Sequence, residues 1–380
     1  MRPLEERRPH PERGNTLTLQ RTRRLAAVLA AGTLALTGCY SDAGQGNVAT
    51  ADKGLTGTLA GAGSSAQSAA MQTWIAGFQG SNPDVTVNYD PVGSGGGREQ
   101  FTEGGVDFAG SDRAMKPEEI VEAAKRCPGG TVVNLPLYIS PIAVAFNLEG
   151  ISELDLKPTT IAKIFNQKIA KWNDQAIAAD NPGVTLPALE ITPVNRQDDS
   201  GTTENFTDYL AATAGADWPY EPDGVFPVKG GEAANGTSGV IQAIQAGNGA
   251  IGYADASQVG ELGIVAVGVG DEFVTYTPEA AAAVVEASPR EEGREEGDIV
   301  VELERDTIEG GQYPVVLVSY SIACTTYADA GKGQLVKAFL SYVASEQGQR
   351  AAAGAAGSAP ISAALRAEVL ESIEKIGSGA

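Results

Sequence analysis

Histidine is nearly absent from the chain, and the single copy, His10, stands close to its start. It falls within a segment that we expect to be removed from the mature protein. Without histidine, the mature chain cannot form a Ser-His or Cys-His catalytic pair or a histidine metal site. We therefore expect neither a metal nor a cofactor.

Cysteine is also scarce, with three copies in 380 residues. Cys39 follows the first apolar run, which leaves Cys127 and Cys324 for the folded part of the chain. An exported protein often oxidises such a pair, but spacing in the sequence does not show whether two cysteines lie close together. A disulfide between Cys127 and Cys324 and a pair of free thiols are both open alternatives.

The first apolar run, residues 25–36, is too short to span a bilayer as a stable helix. Arginines precede it, which is typical of a signal peptide. Leu36-Thr37-Gly38-Cys39 resembles the lipobox of bacterial lipoproteins, which implies cleavage before Cys39 and a diacylglycerol on its sulfur. The alternative is an ordinary signal peptide with an incidental cysteine. We predict a lipoprotein signal peptide over residues 1–38 and a flexible tether over residues 39–54, which would anchor the protein to the outer face of the cell membrane.

Basic residues are few, with 27 Lys and Arg against 48 Asp and Glu. Without residues 1–38 the chain keeps 20 basic and 45 acidic side chains, a net charge near −25. A surface this acidic repels nucleic acid and anionic lipid, so we expect no nucleic-acid partner. Any bound anion must be held by local dipoles and a few donors.

At 380 residues the chain is longer than one hydrophobic core usually serves. Alternating strand and helix patterns predict an α/β fold. Two apolar stretches, residues 131–148 and 313–320, are candidate crossings between two lobes. We predict that lobe 1 consists of residues 55–136 and 322–380 and that lobe 2 consists of residues 137–321, with a cleft and a hinge between them.

The most informative stretch is residues 195–203. Arg196 stands next to carboxylates, and Ser200-Gly201-Thr202 follows at a point where a helix begins. The first N–H groups of a helix have no intrahelical partner and carry a partial positive charge. Because the planar guanidinium suits two oxygens of one oxyanion, the pattern predicts an anion site. The alternative is a capped surface helix with a local Arg/Asp pair.

Similar loops occur earlier in the chain. A strand over residues 55–60 leads into a glycine- and serine-rich turn, residues 61–66, and then into a helix. We interpret the glycine-rich residues 92–98 as a concave nest of N–H groups. Asp112 ends a third strand, either as part of the site or as the cap of a helix that begins near Pro117.

Taken together, six motifs in the same order resemble the phosphate-binding protein of the high-affinity phosphate ABC transporter, and the match covers nearly all of the chain from residue 55 on. The motifs are Gly61-Ala-Gly-Ser-Ser, Val92-Gly-Ser-Gly-Gly-Gly, Val106-Asp-Phe-Ala-Gly-Ser-Asp, Lys168-Ile-Ala-Lys-Trp-Asn-Asp, Arg196-Gln-Asp-Asp-Ser-Gly-Thr-Thr and Gly249-Ala-Ile-Gly-Tyr. The resemblance implies a type II periplasmic binding protein fold that encloses phosphate between two lobes. It also implies delivery to the membrane permease subunits of the transporter, and no enzymatic activity. We expect a monomer.

The resemblance also implies a set of site residues. Those that contact phosphate would be Ser65, Ala66, Ser94 and Asp112 from the first lobe and Arg196, Ser200, Gly201 and Thr202 from the second, with Asp198 steadying the arginine. Ser65 stands where many members have threonine, and Ala66 where many have phenylalanine. Asp199 stands where glycine is common, and the sequence leaves the orientation of its extra negative charge open.

Asp112 is an acceptor in a site otherwise made of donors. Phosphate near neutral pH still carries a proton to give to this carboxylate, whereas sulfate carries none. We therefore hypothesise that Asp112 rejects sulfate. The competing functions are a binding protein for another oxyanion, an adhesin on the same fold, and a phosphate-ester hydrolase, although no Gly-x-Ser-x-Gly motif supports the last of these.

Overall fold

A computed structural model describes residues 54–377 of the chain. The predicted signal peptide (residues 1–38), the predicted lipid-attachment residue Cys39 and the rest of the predicted tether up to residue 53 lie outside the described residues. Within the described range, no helix combines the length and the apolar composition needed to cross a membrane.

The described residues form eleven strands and eleven α-helices. The strands are β1 (Gly57–Gly63), β2 (Val85–Asp90), β3 (Phe108–Ser111), β4 (Val132–Phe146), β5 (Glu153–Leu156), β6 (Thr192–Arg196), β7 (Glu232–Ala234), β8 (Ala250–Asp255), β9 (Gly263–Val269), β10 (Glu272–Val274) and β11 (Val316–Cys324). The helices are α1 (Ser68–Ser81), α2 (Ser94–Thr102), α3 (Pro117–Ala123), α4 (Pro158–Phe165), α5 (Gln175–Asp180), α6 (Gly201–Ala214), α7 (Gly236–Ala246), α8 (Pro278–Ala287), α9 (Ala330–Ala344), α10 (Glu346–Ala356) and α11 (Ala363–Glu374).

The strands follow the order β2-β1-β3-β11-β4-β8-β6-β7, and β9 joins β4, β5 and β10. Strand β1 pairs in parallel with β2 and β3, and β6 pairs in parallel with β7 and β8. Strands β11 and β4 run antiparallel between these two parallel regions. The sheet therefore contains two parallel halves joined by two central antiparallel strands.

Strand β4 spans both halves. Its residues Val132 to Pro141 pair with β11, and its residues Ile142 to Phe146 pair with β8. All fifteen residues of β4 and all nine of β11 are buried, which explains the two apolar stretches in the sequence. Both predicted crossings are thus strands in the centre of the sheet.

Helix α1 shows how helices cover the sheet. Met71, Trp74 and Phe78 recur on one helical face, and all three are buried. The Trp74 ring meets Tyr138 of β4 edge to face at 6.2 Å between centroids. The spacing of apolar residues that predicted this helix therefore also identified its buried face.

Cys127 and Cys324 are joined in a disulfide. Cys127 lies just after α3 and Cys324 ends β11, 197 residues later, and both are buried. The bond closes a large loop of the chain, and closing a large loop restricts the unfolded state.

The glycine-rich residues 92–98 do not form the predicted nest. Helix α2 begins at Ser94, so the glycines lie in its first turns. The N–H groups of Gly93 and Gly95 donate to backbone carbonyls, those of Gly63 and Asp199. A Cβ at Gly97 would lie 2.4 Å from the Cα of Gly63, so glycine lets α2 pack directly on β1. The interpretation as a nest was therefore wrong, because these glycines serve close packing.

One strand boundary differs from the sequence prediction, and one alternative that the sequence left open is decided. The strand predicted at residues 55–60 runs on to Gly63, because Gly61 and Gly63 pair with β3. Helix α3 begins at Pro117 with Lys116 before it, so Asp112 is not its cap.

The loops that follow the parallel strands hold the residues of interest. Loops after β1, β2 and β3 come from one half of the sheet, and loops after β6 and β7 come from the other. Helices α2, α6 and α7 begin in three of these loops. In α/β proteins, ligands bind at the carboxyl ends of parallel strands, so the fold itself indicates where to look for a site.

Candidate functional site

Arg196 ends β6 and is held by Asp198. Its Nε donates to Asp198 Oδ1 at 2.8 Å, and its Nη2 donates to Asp198 Oδ2. The Arg196 residue is 3% exposed. Within the described residues no hydrogen bond uses Nη1, so part of the guanidinium remains available to a ligand.

Asp198 also fixes the start of α7, because the N–H of Gly236 donates to its Oδ1 at 2.9 Å. Burial disfavours the charged carboxylate, but the hydrogen bond and charge of Arg196 and the N–H of Gly236 outweigh it and lower the pKa of Asp198. The aspartate is therefore ionised near neutral pH and holds Arg196 in one orientation.

The amino terminus of α6 provides free donors. Ser200 caps this helix, since its Oγ accepts from the N–H of Thr203 at 3.2 Å. The N–H groups of Gly201 and Thr202 make no hydrogen bond within the described part of the chain, as expected for the first turn of a helix. The hydroxyl of Ser200 still has its own proton to donate. Three donors therefore lie on consecutive residues at the positive end of a helix.

Asp112 lies opposite this helix end. Thr202 Oγ1 donates to Asp112 Oδ2 at 3.0 Å, and Asn205 Nδ2 donates to the Asp112 carbonyl at 2.6 Å. Asp112 Oδ1 is buried and has no hydrogen-bond partner within the described residues. Because a buried carboxylate oxygen rarely lacks a donor, this atom points to a ligand that brings one.

Burial raises the pKa of Asp112. The hydroxyls of Ser64, Ser319 and Thr202 and the charge of Arg196 oppose this rise. Within the described residues, only the Thr202 hydroxyl among these three forms a hydrogen bond with the carboxylate. The Ser319 hydroxyl is buried and has no hydrogen-bond partner there. The carboxylate is thus poised to share a proton.

Ser94 begins α2 and contacts Asp112 from the other side. Its Oγ accepts from the N–H of Asp112 at 3.1 Å, which leaves the Ser94 proton free to donate. Gly201 packs against both residues, because a Cβ there would lie 2.7 Å from Ser94 Oγ and 2.8 Å from Asp112 Cβ. Ser94, Asp112 and the start of α6 therefore form one contact cluster.

Ser65 reaches the start of α7. Its Oγ accepts from the N–H of Thr237 at 3.0 Å and lies 3.1 Å from Thr237 Oγ1. The N–H of Ala66 donates to Ser64 Oγ at 3.1 Å. Ser65 is thus linked to Arg196 through α7 and Asp198, whereas the Ala66 donor is already engaged by a neighbouring hydroxyl.

The extra carboxylate at Asp199 is directed away from Arg196. Its Oδ1 lies 3.5 Å from Nη2 of Arg98, and the side chain is 49% exposed. Arg98 is buried and also donates to Ser111 Oγ at 2.9 Å. The orientation that the sequence left open is therefore outward, against a second arginine.

Sequence reasoning missed several residues of this cluster. Thr237 lies in Asn235-Gly236-Thr237-Ser238-Gly239, which repeats the glycine and hydroxyl pattern at the start of α6 and could have been recognised from it. Ser319 is a single hydroxyl within an apolar strand, which is also a usable signal. Tyr253, whose hydroxyl lies 2.8 Å from Thr203 Oγ1, ends the motif Gly249-Ala-Ile-Gly-Tyr, but the sequence assigned it no role in the site.

Two cavities open beside the cluster. One of about 550 Å³ is lined by Ser65, Asp198 and Gly236 among others, and one of about 430 Å³ is lined by Asp112 and several charged side chains. Arg196 and Thr202 line neither cavity and are buried. Between residues 54 and 377, no group of three or more histidine, cysteine or acidic residues could hold a metal ion. The arrangement is suited to enclosing a small oxyanion.

A model of the PBP superfamily domain matches residues 48–347 of the chain. A relative named phosphate-binding protein PstS 3 from Mycobacterium leprae is 37% identical over 332 residues, covering 82% of this chain and 88% of that protein. The protein of the same name from Mycobacterium tuberculosis is 36% identical over 342 residues, covering 85% of this chain and 90% of its own.

Solved structures show the same architecture. A phosphate-binding protein from Stenotrophomonas maltophilia has a TM-score of 0.64 at 20% identity and covers 83% of this chain and 94% of that one. The periplasmic phosphate-binding protein PfluDING, solved with phosphate bound, has a TM-score of 0.66 at 23% identity and covers 82% and 93%. The predicted α/β fold of the periplasmic binding proteins is confirmed.

Gly201→Ala tests how tightly this cluster is closed. The new methyl group would force Ser94 or Asp112 to move, and such overpacking costs about 1–3 kcal/mol. We expect the midpoint of guanidinium unfolding to fall accordingly. The matched control is Gly80→Ala in α1, where a Cβ meets no atom within 4 Å. That variant should be as stable as the wild type or more stable by up to about 1 kcal/mol. Equal unfolding midpoints for Gly201→Ala and the wild type would contradict the close contact.

Proposed function

The chain belongs to the phosphate-binding proteins of the PBP superfamily, and from this premise we propose that it captures inorganic phosphate outside the cytoplasm and delivers it to an ABC importer. The family inferred from six sequence motifs is confirmed by relatives that cover more than four fifths of the chain. These relatives are named as binding proteins rather than as enzymes. We therefore reject the alternative of a phosphate-ester hydrolase.

One observation carries the choice of ligand, namely the unpartnered oxygen of Asp112 among donor groups. Phosphate near neutral pH offers both a proton for that oxygen and acceptor oxygens for the surrounding donors. The proposed contacts are the Arg196 guanidinium, the hydroxyls of Ser65, Ser94 and Ser200, the N–H groups of Gly201 and Thr202, and Asp112 as acceptor. The N–H of Ala66 would join them by exchanging its bond to Ser64 Oγ for one to the ligand. Burial of a dianion is costly unless most of its lone pairs meet donors, and this set supplies them.

We propose the lobe boundaries on the same basis, with lobe 1 at residues 55–136 and 322–380 and lobe 2 at residues 137–321. The bonds between Thr202 and Asp112 and between Ser65 and Thr237 would then cross the cleft. So would the ion pair of Arg113 Nε with Glu204 Oε2 at 2.7 Å. These contacts would stabilise a closed form, which the permease subunits would recognise.

The cellular setting is also part of the proposal. A lipid on Cys39 would hold the protein at the outer face of the cell membrane, with residues 39–54 as the tether. We also propose that the protein acts as a monomer. A related binding protein for another oxyanion is the second candidate, and the sulfate comparison below separates the two.

Asp112→Asn tests the choice of ligand. Loss of one hydrogen bond between charged groups, about 1.5–3 kcal/mol, should weaken phosphate binding by roughly 10- to 100-fold. The asparagine amide can donate to an oxyanion that has no proton, so sulfate should bind more tightly than it does to the wild type. Calorimetric titration of phosphate and of sulfate into the wild type and into Asp112→Asn measures the ratio of phosphate to sulfate affinity for each protein.

The control for this experiment is Asp107→Asn, which removes a partly buried carboxylate paired with Lys332. It should leave both affinities unchanged. An unaltered ratio of phosphate to sulfate affinity in Asp112→Asn would show that this carboxylate does not choose the ligand. Absence of phosphate binding by the wild type would overturn the proposed function itself.

Cys39→Ala tests the anchor. Without the thiol no diacylglycerol can attach, so the variant should incorporate no labelled palmitate and should appear in the culture medium. The matched control Ser41→Ala, two residues along the tether, should remain labelled and cell-bound. Labelling of Cys39→Ala at the wild-type level would rule out this residue as the attachment point.

A further inference from the structure

Asp255 is a second buried carboxylate behind the site. It ends β8 and is 0% exposed. The hydroxyl of Tyr138 donates to its two oxygens at 3.1 and 3.2 Å, and the N–H and hydroxyl of Ser257 donate to Oδ1 at 3.0 and 2.5 Å. Within the described residues it forms no ion pair with lysine or arginine. Its partners are therefore all neutral donors.

The sheet places Asp255 and Asp112 at opposite ends of a row of polar groups. Tyr320 of β11 pairs with Ser111 of β3, so Ser319 is the next residue on β11 and Asp112 the next after β3. Ser319 pairs with Tyr138 of β4, whose hydroxyl binds Asp255. The Ser319 hydroxyl and Asp112 Oδ1 are both buried and have no hydrogen-bond partner within the described residues. Strand pairing therefore places Ser319 and Tyr138 on the neighbouring strands between Asp255 and the proposed phosphate site.

The charges that face Asp255 do not neutralise it. From β4 it meets Tyr138, from the loop after β10 it faces the neutral phenol of Tyr276, and beyond Ser319 it meets the negative charge of Asp112. Strand β6 carries Arg196, whose guanidinium is held by Asp198. No side chain of α6 or α7, which also pack on β8, donates to Asp255 in the described structure. Burial raises the pKa of Asp255 to about 7. The hydrogen bonds from Ser257 and the nearby hydroxyl of Ser140 oppose this rise, and the charge of Asp112 reinforces it.

We propose that Asp255 is a further positioning residue of the phosphate site, which takes up a proton from solvent when the dianion binds beside Asp112. The proposal rests on the proposed function, because it needs an anion at that place. No covalent bond of phosphate changes. The proton joins a carboxylate oxygen of Asp255, and Tyr138 and Ser257 can reorient around the neutral acid.

Electrostatics gives the direction of the effect. The free site holds one arginine against Asp198, Asp112 and Asp255, so a phosphate dianion adds charge to an already negative interior. Charges interact strongly where water is excluded, so anion binding should raise the pKa of Asp255 further. Binding is then coupled to proton uptake, and affinity should fall as the pH rises through the pKa of the free protein.

The experiment is calorimetric titration of the full chain with inorganic phosphate near pH 7, in buffers of different ionisation enthalpy. The slope of the observed binding enthalpy against the ionisation enthalpy of the buffer gives the number of protons taken up on binding. The ionisation of phosphate itself contributes equally to proton uptake in every variant. The difference in proton number between the wild type and Asp255→Asn therefore measures the contribution of Asp255. We expect the wild type to take up roughly 0.3 proton more than Asp255→Asn.

The pH profile gives a second readout. Asp255→Asn is always neutral, so its dissociation constant relative to that of the wild type should decrease between pH 6 and pH 8.5. Should Asp255→Asn fail to fold, Tyr138→Phe removes a donor to the ionised carboxylate and should move proton uptake to higher pH. The control Asp180→Asn alters a buried carboxylate that accepts from Thr160 and should behave as the wild type.

Two results separate the possible failures. If the wild type binds phosphate but the proton numbers of wild type and Asp255→Asn agree, with unchanged pH profiles in both Asp255→Asn and Tyr138→Phe, the role of Asp255 is wrong. If the wild type does not bind phosphate at any pH, the proposed function fails first. Proton uptake that is smaller in Asp255→Asn than in the wild type, but unchanged in Asp180→Asn, supports the proposal.

Discussion

The site depends on one buried carboxylate oxygen that has no hydrogen-bond donor within the described residues. Asp112 Oδ1 lies among hydroxyls and helix N–H groups, yet none of the described groups donates to it. Leaving such an atom unpaired costs free energy in the folded protein. A ligand that is an acceptor on most sides and a donor on one side removes that cost, and protonated phosphate has this form.

The fold allows an acidic protein to contain such an anion site. Parallel strands in two halves of the sheet end in loops from which α2, α6 and α7 begin, so partial positive charges replace a broad basic surface. The full positive charge of Arg196 is fixed in place by Asp198, which also holds the start of α7. Local dipoles and one oriented guanidinium therefore act against a strongly negative background.

Much of this arrangement was predictable from the sequence, because it depends on local patterns. The helix start at Ser200, the buried face of α1 and the burial of the two apolar stretches follow from capping, periodicity and composition. The glycines after Gly93 were misinterpreted, because their role is the close approach of α2 to β1, a contact between distant residues. Thr237 and Ser319 carry usable sequence signals, but their partners come from distant parts of the chain: Thr237 bonds to Ser65, and Ser319 pairs with Tyr138. The position of Asp255 behind the site likewise depends on strand pairing, which no local pattern shows.

The central claim is that the proton of phosphate is what the site selects. The most direct measurement is the dissociation constant of the wild-type protein for phosphate, first alone and then with sulfate in 1,000-fold excess over phosphate, at constant ionic strength. A site that demands a donated proton discriminates by about 10⁴–10⁵, so the account predicts an essentially unchanged constant. A dissociation constant that rises in proportion to the sulfate concentration would show that the two anions bind alike, and would contradict the account.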